Sequence, residues 1–247
     1  MPTKPGDGGH GMEEYNPENG QYIDEERTAM NLMGLEKGKK FGSKRAQIEP
    51  FVDDIENKST KQFYDELGNK ALKCIKDETG YNDEEANIFY HELVEYMGGN
   101  YFEYSMGENK QGIEIINNGL SRMGAYDGAI YRGMEFDDFK EYKKFLCLEV
   151  GEILPTLGLT SWSSDKEVAL TFANYEDETP YSVVLKCENN KSAVGVQHLS
   201  KWGKTESEVL APSTAKYVIT KKFYLKRPNG LKSLLIIVEE VQEDGKE

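Results

Sequence analysis

Two glutamates one residue apart, Glu206 and Glu208, are the first candidates for chemistry in this sequence of 247 residues. They occur in KTESEVLAP, directly before the apolar pair Val209-Leu210, and this pattern predicts a strand that opens at Glu206. Side chains at positions i and i+2 of a strand point to the same face, about 6.5–7 Å apart along the chain. Like charges side by side cost stability, so the pair is either a solvated strand edge or the working end of an active site.

Two further segments carry polar residues within strand-like sequence. Arg132 lies inside the apolar run IYRGM, and Ser161 and Ser163 belong to LTSWSSD, which leads into a helix. Each segment also has a purely structural interpretation, as an edge-strand arginine or as helix-capping serines. Taken one at a time, these structural interpretations are favoured.

Helical patterns precede strand patterns along the chain. From Phe51, apolar residues recur at helical spacing up to a stop at Gly80, a second helix begins after a capping Asn82, and a third runs through GIEIINNGLSRM. The apolar face of the second helix comprises Ala86, Phe89, Tyr90, Leu93 and Met97. After Asp127, short β-branched or aromatic segments alternate with turns, interrupted by one helix that starts at Ser164-Asp165. This order predicts an α+β protein.

The net charge, the lengths of the apolar runs and the cysteine spacing argue against several classes of partner and site. A formal net charge of −14 argues against nucleic acid and anionic membranes as primary partners, because neither would be attracted to the chain. No apolar run approaches the length of a membrane span, and no signal peptide is visible at the N-terminus. No Cys-x-x-Cys spacing occurs, which argues against zinc sites and thioredoxin-like sites, and no metal is expected. The three cysteines lie in apolar runs, which favours small buried side chains over catalytic thiols: Cys74, Cys147 and Cys187.

The N-terminal segment differs in composition from the remainder. Residues 1–50 are rich in Gly, Glu and Lys and have few apolar groups, so we expect this segment to be mostly disordered. Within it, ERTAMNLMGLEKG is either a helical contact segment or a plain linker, and a linker is favoured. Residues 51–247 are long enough to form one domain with its own core.

Taken together and in order, the three polar segments resemble the mono-ADP-ribosyltransferase family of the arginine–serine–glutamate type. That family carries a strand Tyr-Arg-Gly, a later Ser-Thr-Ser strand followed by a helix, and Glu-x-Glu before an apolar pair. The corresponding residues here are Tyr131-Arg132-Gly133, Ser161-Trp162-Ser163 and Glu206-Ser207-Glu208, within a resemblance that covers about residues 55 to 240. Trp162 replaces the family's threonine, and strand alternation predicts that it points away from the pocket. The sequence leaves open which of the two serines faces the site.

The resemblance implies a fold and a set of roles. The fold is an ADP-ribosyltransferase-like split β-sandwich of two antiparallel sheets with an N-terminal helical lobe, and residues 51–247 are its catalytic domain. NAD is the implied substrate and binds in the cleft. Glu208 would counter the positive charge that develops on the ribose, Arg132 would bind the phosphates, and Ser161 would orient Glu208. In the family, a glutamate at the position of Glu206 accompanies transfer of ADP-ribose to arginine.

The resemblance also implies further contacts. Tyr131, Gly133 and Ser163 are expected to contact NAD along with the residues above. Trp202, in HLSKWGKT, lies on the loop that would face the acceptor protein. The alternative interpretation, a tryptophan that packs the loop against the core, stays open beside it.

Several functions compete on this sequence. The first is transfer of ADP-ribose from NAD to arginine on a protein. The others are an NAD glycohydrolase that uses the same pocket and a non-catalytic interaction module that retains the fold. A carbohydrate hydrolase is the weakest, because two carboxylates from one short strand do not flank a scissile bond. We expect the protein to act in the cytoplasm of the producing or host cell, as a phage or toxin protein, or to be exported by a non-classical route.

Overall fold

α-Helices dominate the first half of the chain and β-strands the second. The computed structural model describes residues 14–16, 21–23, 25–35, 60–98, 100–174, 179–199 and 206–241. The helices in these ranges are α1 (Glu25–Leu32), α2 (Thr60–Thr79), α3 (Asp83–Met97), α4 (Tyr101–Ser105), α5 (Lys110–Leu120), α6 (Phe139–Leu146) and α7 (Lys166–Phe172). The strands are β1 (Glu14–Asn16), β2 (Gln21–Ile23), β3 (Ile130–Phe136), β4 (Thr160–Ser163), β5 (Tyr181–Cys187), β6 (Val194–Gly195), β7 (Glu208–Ala211), β8 (Lys216–Lys226) and β9 (Lys232–Val241).

Helices α2 to α5 form a lobe that precedes the main sheet. The start of α3 is fixed by a capping box: Asn82 Oδ1 accepts from the backbone N–H of Glu84 and Glu85, and Glu85 Oε2 accepts from the Asn82 N–H. The predicted cap is thereby confirmed. The buried face of α3 differs from the predicted one, because Tyr96 is buried while Tyr90 and Met97 are only partly covered. The residues that this face buries are spaced three, four and three apart: Ala86, Phe89, Leu93 and Tyr96.

The main sheet has seven strands in the order β6-β7-β4-β3-β5-β9-β8. β3 pairs with β5 along the full length of both strands, whereas β3 and β4 share the single residue pair Tyr131↔Ser163. The sheet therefore divides into two parts between β3 and β4. This arrangement confirms the α+β class and the split sheet, with one difference in detail: β5 and β9 run parallel, while the other paired strands are antiparallel.

Three apolar clusters hold these layers together. The first joins the helical lobe to β6 and β7, the second lies between the sheet and α6, and the third lies beneath α1 and α7. Cys187 is buried in the second cluster, but Cys147 is exposed at the C-terminal cap of α6. The prediction of a buried Cys147 is wrong, because Cys147 caps the short helix α6 at an exposed position.

Helix α1 lies in the segment for which disorder is expected. Ala29, Met33 and Leu35 are buried in the third cluster against residues of β5, β8 and β9. Lys186 Nζ donates to the Leu32 carbonyl at 2.6 Å, and Lys166 Nζ donates to the Gly34 carbonyl at 2.7 Å. ERTAMNL is thus a helical contact segment. Within residues 1–50, everything apart from 14–16, 21–23 and 25–35 lies outside the described residues.

The described ranges contain neither a membrane-spanning helix nor a group of side chains suited to a metal ion. None of their helices combines the length and the apolar character that crossing a bilayer requires. Within them, no three His, Cys, Asp or Glu side chains are grouped so that they could hold a metal ion.

Candidate active site

A cavity of about 310 Å³ opens where the sheet divides. Its walls come from β3, β4 and the start of β7, from α7, and from α3 and α4 of the helical lobe. The structure brings together in this cavity most of the residues that the sequence singles out: Tyr131, Arg132, Gly133, Ser161, Ser163, Glu206 and Glu208. Trp202 lies outside the described residues.

Ser161 and Glu208 form the central contact of the cavity. Ser161 Oγ donates a hydrogen bond of 2.8 Å to Glu208 Oε1. The register of β4 with β7 produces this contact. Ser163 lies directly opposite Glu208, and Ser161 is the diagonal neighbour of Glu208 on the same face of the sheet. Both serines therefore face the cavity, which resolves the question that the sequence leaves open.

Ser163 has a different task from Ser161. Its hydroxyl donates to the Glu206 carbonyl at 2.7 Å and accepts from the Asp165 N–H at 3.0 Å. Ser163 thus ties the end of β4 to the segment that carries Glu206. Trp162, between the two serines, is buried in the sheet core, where its ring lies 5.0 Å from the ring of Tyr217.

Glu206 is not part of a strand, so the predicted strand start is wrong. β7 begins at Glu208, and Ser207 has a φ of 48°, in the left-handed region that few residues other than glycine adopt. Two hydrogen bonds from Ser164 hold this turn. The Ser207 carbonyl accepts from the Ser164 N–H at 2.9 Å and from the Ser164 hydroxyl at 3.2 Å. Glu206 still lines the cavity, but a turn and not strand alternation brings it there.

Arg132 bridges the divided sheet. Its Nη1 donates to the Ser161 carbonyl at 3.0 Å, and its Nη2 donates to the Tyr101 hydroxyl at 3.1 Å. The guanidinium is thereby oriented by β4 on one side and by α4 on the other. A guanidinium has five N–H donors, so this anchoring leaves donors for an anionic ligand.

Gly133 is required by packing against α7. A Cβ on Gly133 would lie 1.6 Å from the Ala169 carbonyl oxygen and 2.7 Å from the Ala173 nitrogen. The missing side chain lets α7 approach β3 and form the floor of the cavity beside Phe172. Tyr131, the preceding residue, lines the cavity and also packs against the third apolar cluster.

Two tyrosines of the helical lobe complete the cavity, and the sequence analysis missed both. Tyr96 is fully buried, with its hydroxyl 2.5 Å from Ser161 Oγ, and Tyr101 binds Arg132. The spacing of Tyr96 from Phe89 and Leu93 is a signal for burial in α3. No local pattern indicates that its hydroxyl reaches β4.

Burial sets the electrostatics of the two carboxyl groups. Glu208 is 7% exposed, and its burial raises its pKa to about 7, although the hydrogen bond from Ser161 lowers it and the charge of Glu206 raises it further. Burial also raises the pKa of Glu206. The cavity therefore presents two desolvated carboxyl groups and one anchored arginine. Such a site suits a ligand that carries both anionic groups and a positive centre.

Comparisons with known proteins give matches among solved structures. The ADP-ribosyltransferase toxin Plx2a from Paenibacillus larvae has 19% identity and a TM-score of 0.51, with 74% of this chain and 96% of that chain covered. Exoenzyme S from Pseudomonas aeruginosa, solved with human 14-3-3 protein beta and Carba-NAD, has 16% identity and a TM-score of 0.50 over 83% and 94% of the two chains. Vis toxin, an ADP-ribosyltransferase from Vibrio Splendidus, has 22% identity and a TM-score of 0.44 over 78% and 92%. No protein-family profile and no curated protein matches the chain. The chain therefore has the fold of the bacterial ADP-ribosyltransferase toxins.

Proposed function

We propose that this chain is an NAD-dependent mono-ADP-ribosyltransferase, which transfers ADP-ribose from NAD to an arginine of an acceptor protein and releases nicotinamide. The observation that carries the proposal is the 2.8 Å hydrogen bond from Ser161 Oγ to the buried Glu208, in a cavity that Arg132 and Glu206 also line. The fold supports the proposal, because Plx2a is an ADP-ribosyltransferase and Exoenzyme S was solved with Carba-NAD.

Glu208 acts on the bond that breaks. Positive charge develops on the ribose carbon as nicotinamide leaves, and a carboxylate beside that carbon stabilises the transition state more than the ground state. Glu208 must be ionised for this role. Burial raises its pKa to about 7, and the positively charged nicotinamide ring of NAD favours the ionised form when it binds.

Arg132 holds the phosphates of NAD. Its planar guanidinium matches the geometry of phosphate oxygens, and its contacts with the Ser161 carbonyl and the Tyr101 hydroxyl fix its orientation before NAD enters. Less conformational freedom is then lost on binding.

Glu206 receives the acceptor. In the reaction, the bond between the ribose carbon and the nicotinamide nitrogen breaks, and a bond from the same carbon to a guanidinium nitrogen forms. The attacking nitrogen must lose a proton, which passes to the Glu206 carboxylate. Glu206 lines the cavity beside Glu208, and its raised pKa makes it a better proton acceptor than a solvated glutamate.

The proposal is tested by following both products of the reaction. Purified protein is incubated with labelled NAD and either a cell lysate or agmatine, which presents a guanidine without a protein. Nicotinamide release and label transfer are measured in the same tubes. We expect Glu208→Gln to abolish both signals, and Glu206→Gln to lose transfer while retaining most of the slow release of nicotinamide to water.

The outcomes separate the competing functions. Nicotinamide release without transfer to protein or agmatine would indicate an NAD glycohydrolase. Neither signal, in a folded protein that binds NAD, would contradict the proposal and favour a non-catalytic module. Equal loss of transfer and hydrolysis in Glu206→Gln would contradict the division of labour between the two glutamates.

A further inference from the structure

The hydroxyl of Tyr96 connects the helical lobe to the carboxylate of Glu208. Tyr96 lies in the last turn of α3, and its hydroxyl is 2.5 Å from Ser161 Oγ, which in turn is 2.8 Å from Glu208 Oε1. The three groups form one hydrogen-bonded chain that starts in the lobe, passes through β4 and ends on β7.

The direction of this chain follows from a count of protons. A serine hydroxyl has one proton to donate, and an ionised carboxylate can only accept. When Glu208 is ionised, Ser161 donates its proton to Glu208, so Tyr96 must be the donor to Ser161. The reverse direction needs a protonated Glu208 that donates to Ser161, with Ser161 donating to Tyr96.

Tyr96 favours the first direction over the second. Its side chain is fully buried, and in the described part of the chain Ser161 is the one hydrogen-bonding partner that its hydroxyl has. In the reverse direction the Tyr96 proton would have no acceptor, which is costly for a buried O–H group. Burial raises the pKa of Tyr96 well above its ordinary value, so the hydroxyl keeps its proton.

Resting on the proposed transferase function, we infer that Tyr96 is a positioning residue of the reaction: it donates to Ser161 and thereby commits the single proton of Ser161 to Glu208. Tyr96 acts through Ser161 and has no contact of its own with Glu208 in this account. Its effect is to favour the ionised and oriented carboxylate.

The packing of Tyr96 suits this role. Its ring centroid lies 5.4 Å from that of Tyr101 and 5.8 Å from that of Tyr104, so the hydroxyl cannot swing away from Ser161 without disturbing the lobe. Tyr101 in turn binds Arg132. The helical lobe therefore orients the anion-binding arginine and the carboxylate through neighbouring tyrosines.

The test compares Tyr96→Phe with Tyr104→Phe in the full-length protein. Tyr104 is a matched control because it is equally buried and its hydroxyl also makes one side-chain hydrogen bond, to Glu92 at 2.6 Å, but it does not contact Ser161. The first readout is the titration of the Glu208 carboxyl carbon by ¹³C NMR without NAD, assigned with Glu208→Gln. The second is the pH profile of nicotinamide release.

We expect Tyr96→Phe to raise the titration midpoint of Glu208 by about half a pH unit, because Ser161 becomes a weaker donor to the carboxylate. The acid limb of the rate profile should move in the same direction, so that release falls about threefold below the midpoint and recovers at alkaline pH. Tyr104→Phe should leave both midpoints unchanged. In a Ser161→Ala background, Tyr96→Phe should have no further effect on the Glu208 midpoint.

Each result has a distinct meaning. An unchanged Glu208 midpoint in Tyr96→Phe, an equal shift in Tyr104→Phe, or a full effect of Tyr96→Phe in the Ser161→Ala background would overturn the inference. The carboxyl titration does not need turnover. A wild-type protein that releases no nicotinamide, but whose Glu208 midpoint responds to Tyr96→Phe, would contradict the proposed function and support the hydrogen-bonded chain.

Discussion

Replacement of Glu208 by Gln should stabilise the protein at neutral and alkaline pH, although it removes the carboxylate on which the proposed reaction depends. Glu208 is 7% exposed, and its one side-chain hydrogen bond among the described residues comes from Ser161. Burial without a cationic partner favours the protonated form. Ionisation of Glu208 in the folded protein is therefore a cost that a neutral amide of similar shape avoids.

The size of the effect follows from the shift in pKa. Burial raises the pKa of Glu208 from 4.5 to about 7. Between these values the folded protein keeps the proton and the unfolded chain releases it, so the unfolding free energy falls as pH rises and is level again above pH of about 7. The shift corresponds to about 3 kcal/mol of stability that the wild type loses and Glu208→Gln keeps. In a domain of this size that is roughly 6–12 °C in melting temperature.

The measurement is urea unfolding followed by circular dichroism at several pH values from 4 to 8.5. The informative quantity is the difference in unfolding free energy between Glu208→Gln and wild type at each pH, because titrating groups that do not interact with Glu208 cancel in it. This difference should rise between pH of about 4.5 and 7 and then stay level. Glu114→Gln, which removes an exposed carboxylate from α5, controls for the loss of one negative charge.

A difference that does not change with pH would refute the reasoning. It would mean that Glu208 is solvated or paired with a cation in the folded protein, and the buried-carboxylate account of the cavity would fail with it. A variant less stable than wild type at every pH would mean that Gln cannot accept the Ser161 hydrogen bond without strain.

Three further substitutions probe the elements around the cavity. Gly133→Ala should cost about 3 kcal/mol or more, because the new Cβ would collide with the Ala169 carbonyl of α7; an unchanged thermal melt would contradict the packing. Arg132→Lys should weaken NAD binding about tenfold in a fluorescence titration, because an ammonium cannot bind phosphate oxygens through a planar fork; equal affinity would contradict its role. Asn82→Ala should lower the unfolding free energy by about 1 kcal/mol through loss of the α3 cap, and a change in nicotinamide release would count against a purely structural effect.

Much of the fold was predictable because its signals are local. Asn82 followed by Glu85 is a helix-start signature, and the strand patterns after Asp127 fall on the observed strands. α4 and α6 were missed because five and eight residues are too few to display a clear helical period. The start of β7 was predicted two residues too early, because the apolar pair Val209-Leu210 indicates a strand but does not fix where it begins. No sequence pattern predicts the left-handed backbone of Ser207.

The candidate site was predictable in its residue types and not in its connections. The distance from Ser161 to Glu208 depends on the register of β4 with β7, which alternation alone leaves free. The contact of Tyr96 with Ser161 spans 65 positions and depends on how the lobe docks onto the sheet. A helix pattern predicts that a tyrosine is buried, but it carries no information on which strand its hydroxyl will meet.

The division of the sheet and the formation of the site are one structural feature. β3 and β4 are joined by the single pair Tyr131↔Ser163, while the backbone of Arg132 pairs with Leu185 on the other side of β3. In a continuous sheet, backbone hydrogen bonds would join β3 to β4 along their length. Here the Arg132 side chain spans the gap and donates to the Ser161 carbonyl. Because the ladder stops there, the cavity opens between Arg132 and the Ser161–Glu208 pair. A longer ladder between β3 and β4 would strengthen the sheet and would close the space that the proposed substrate needs.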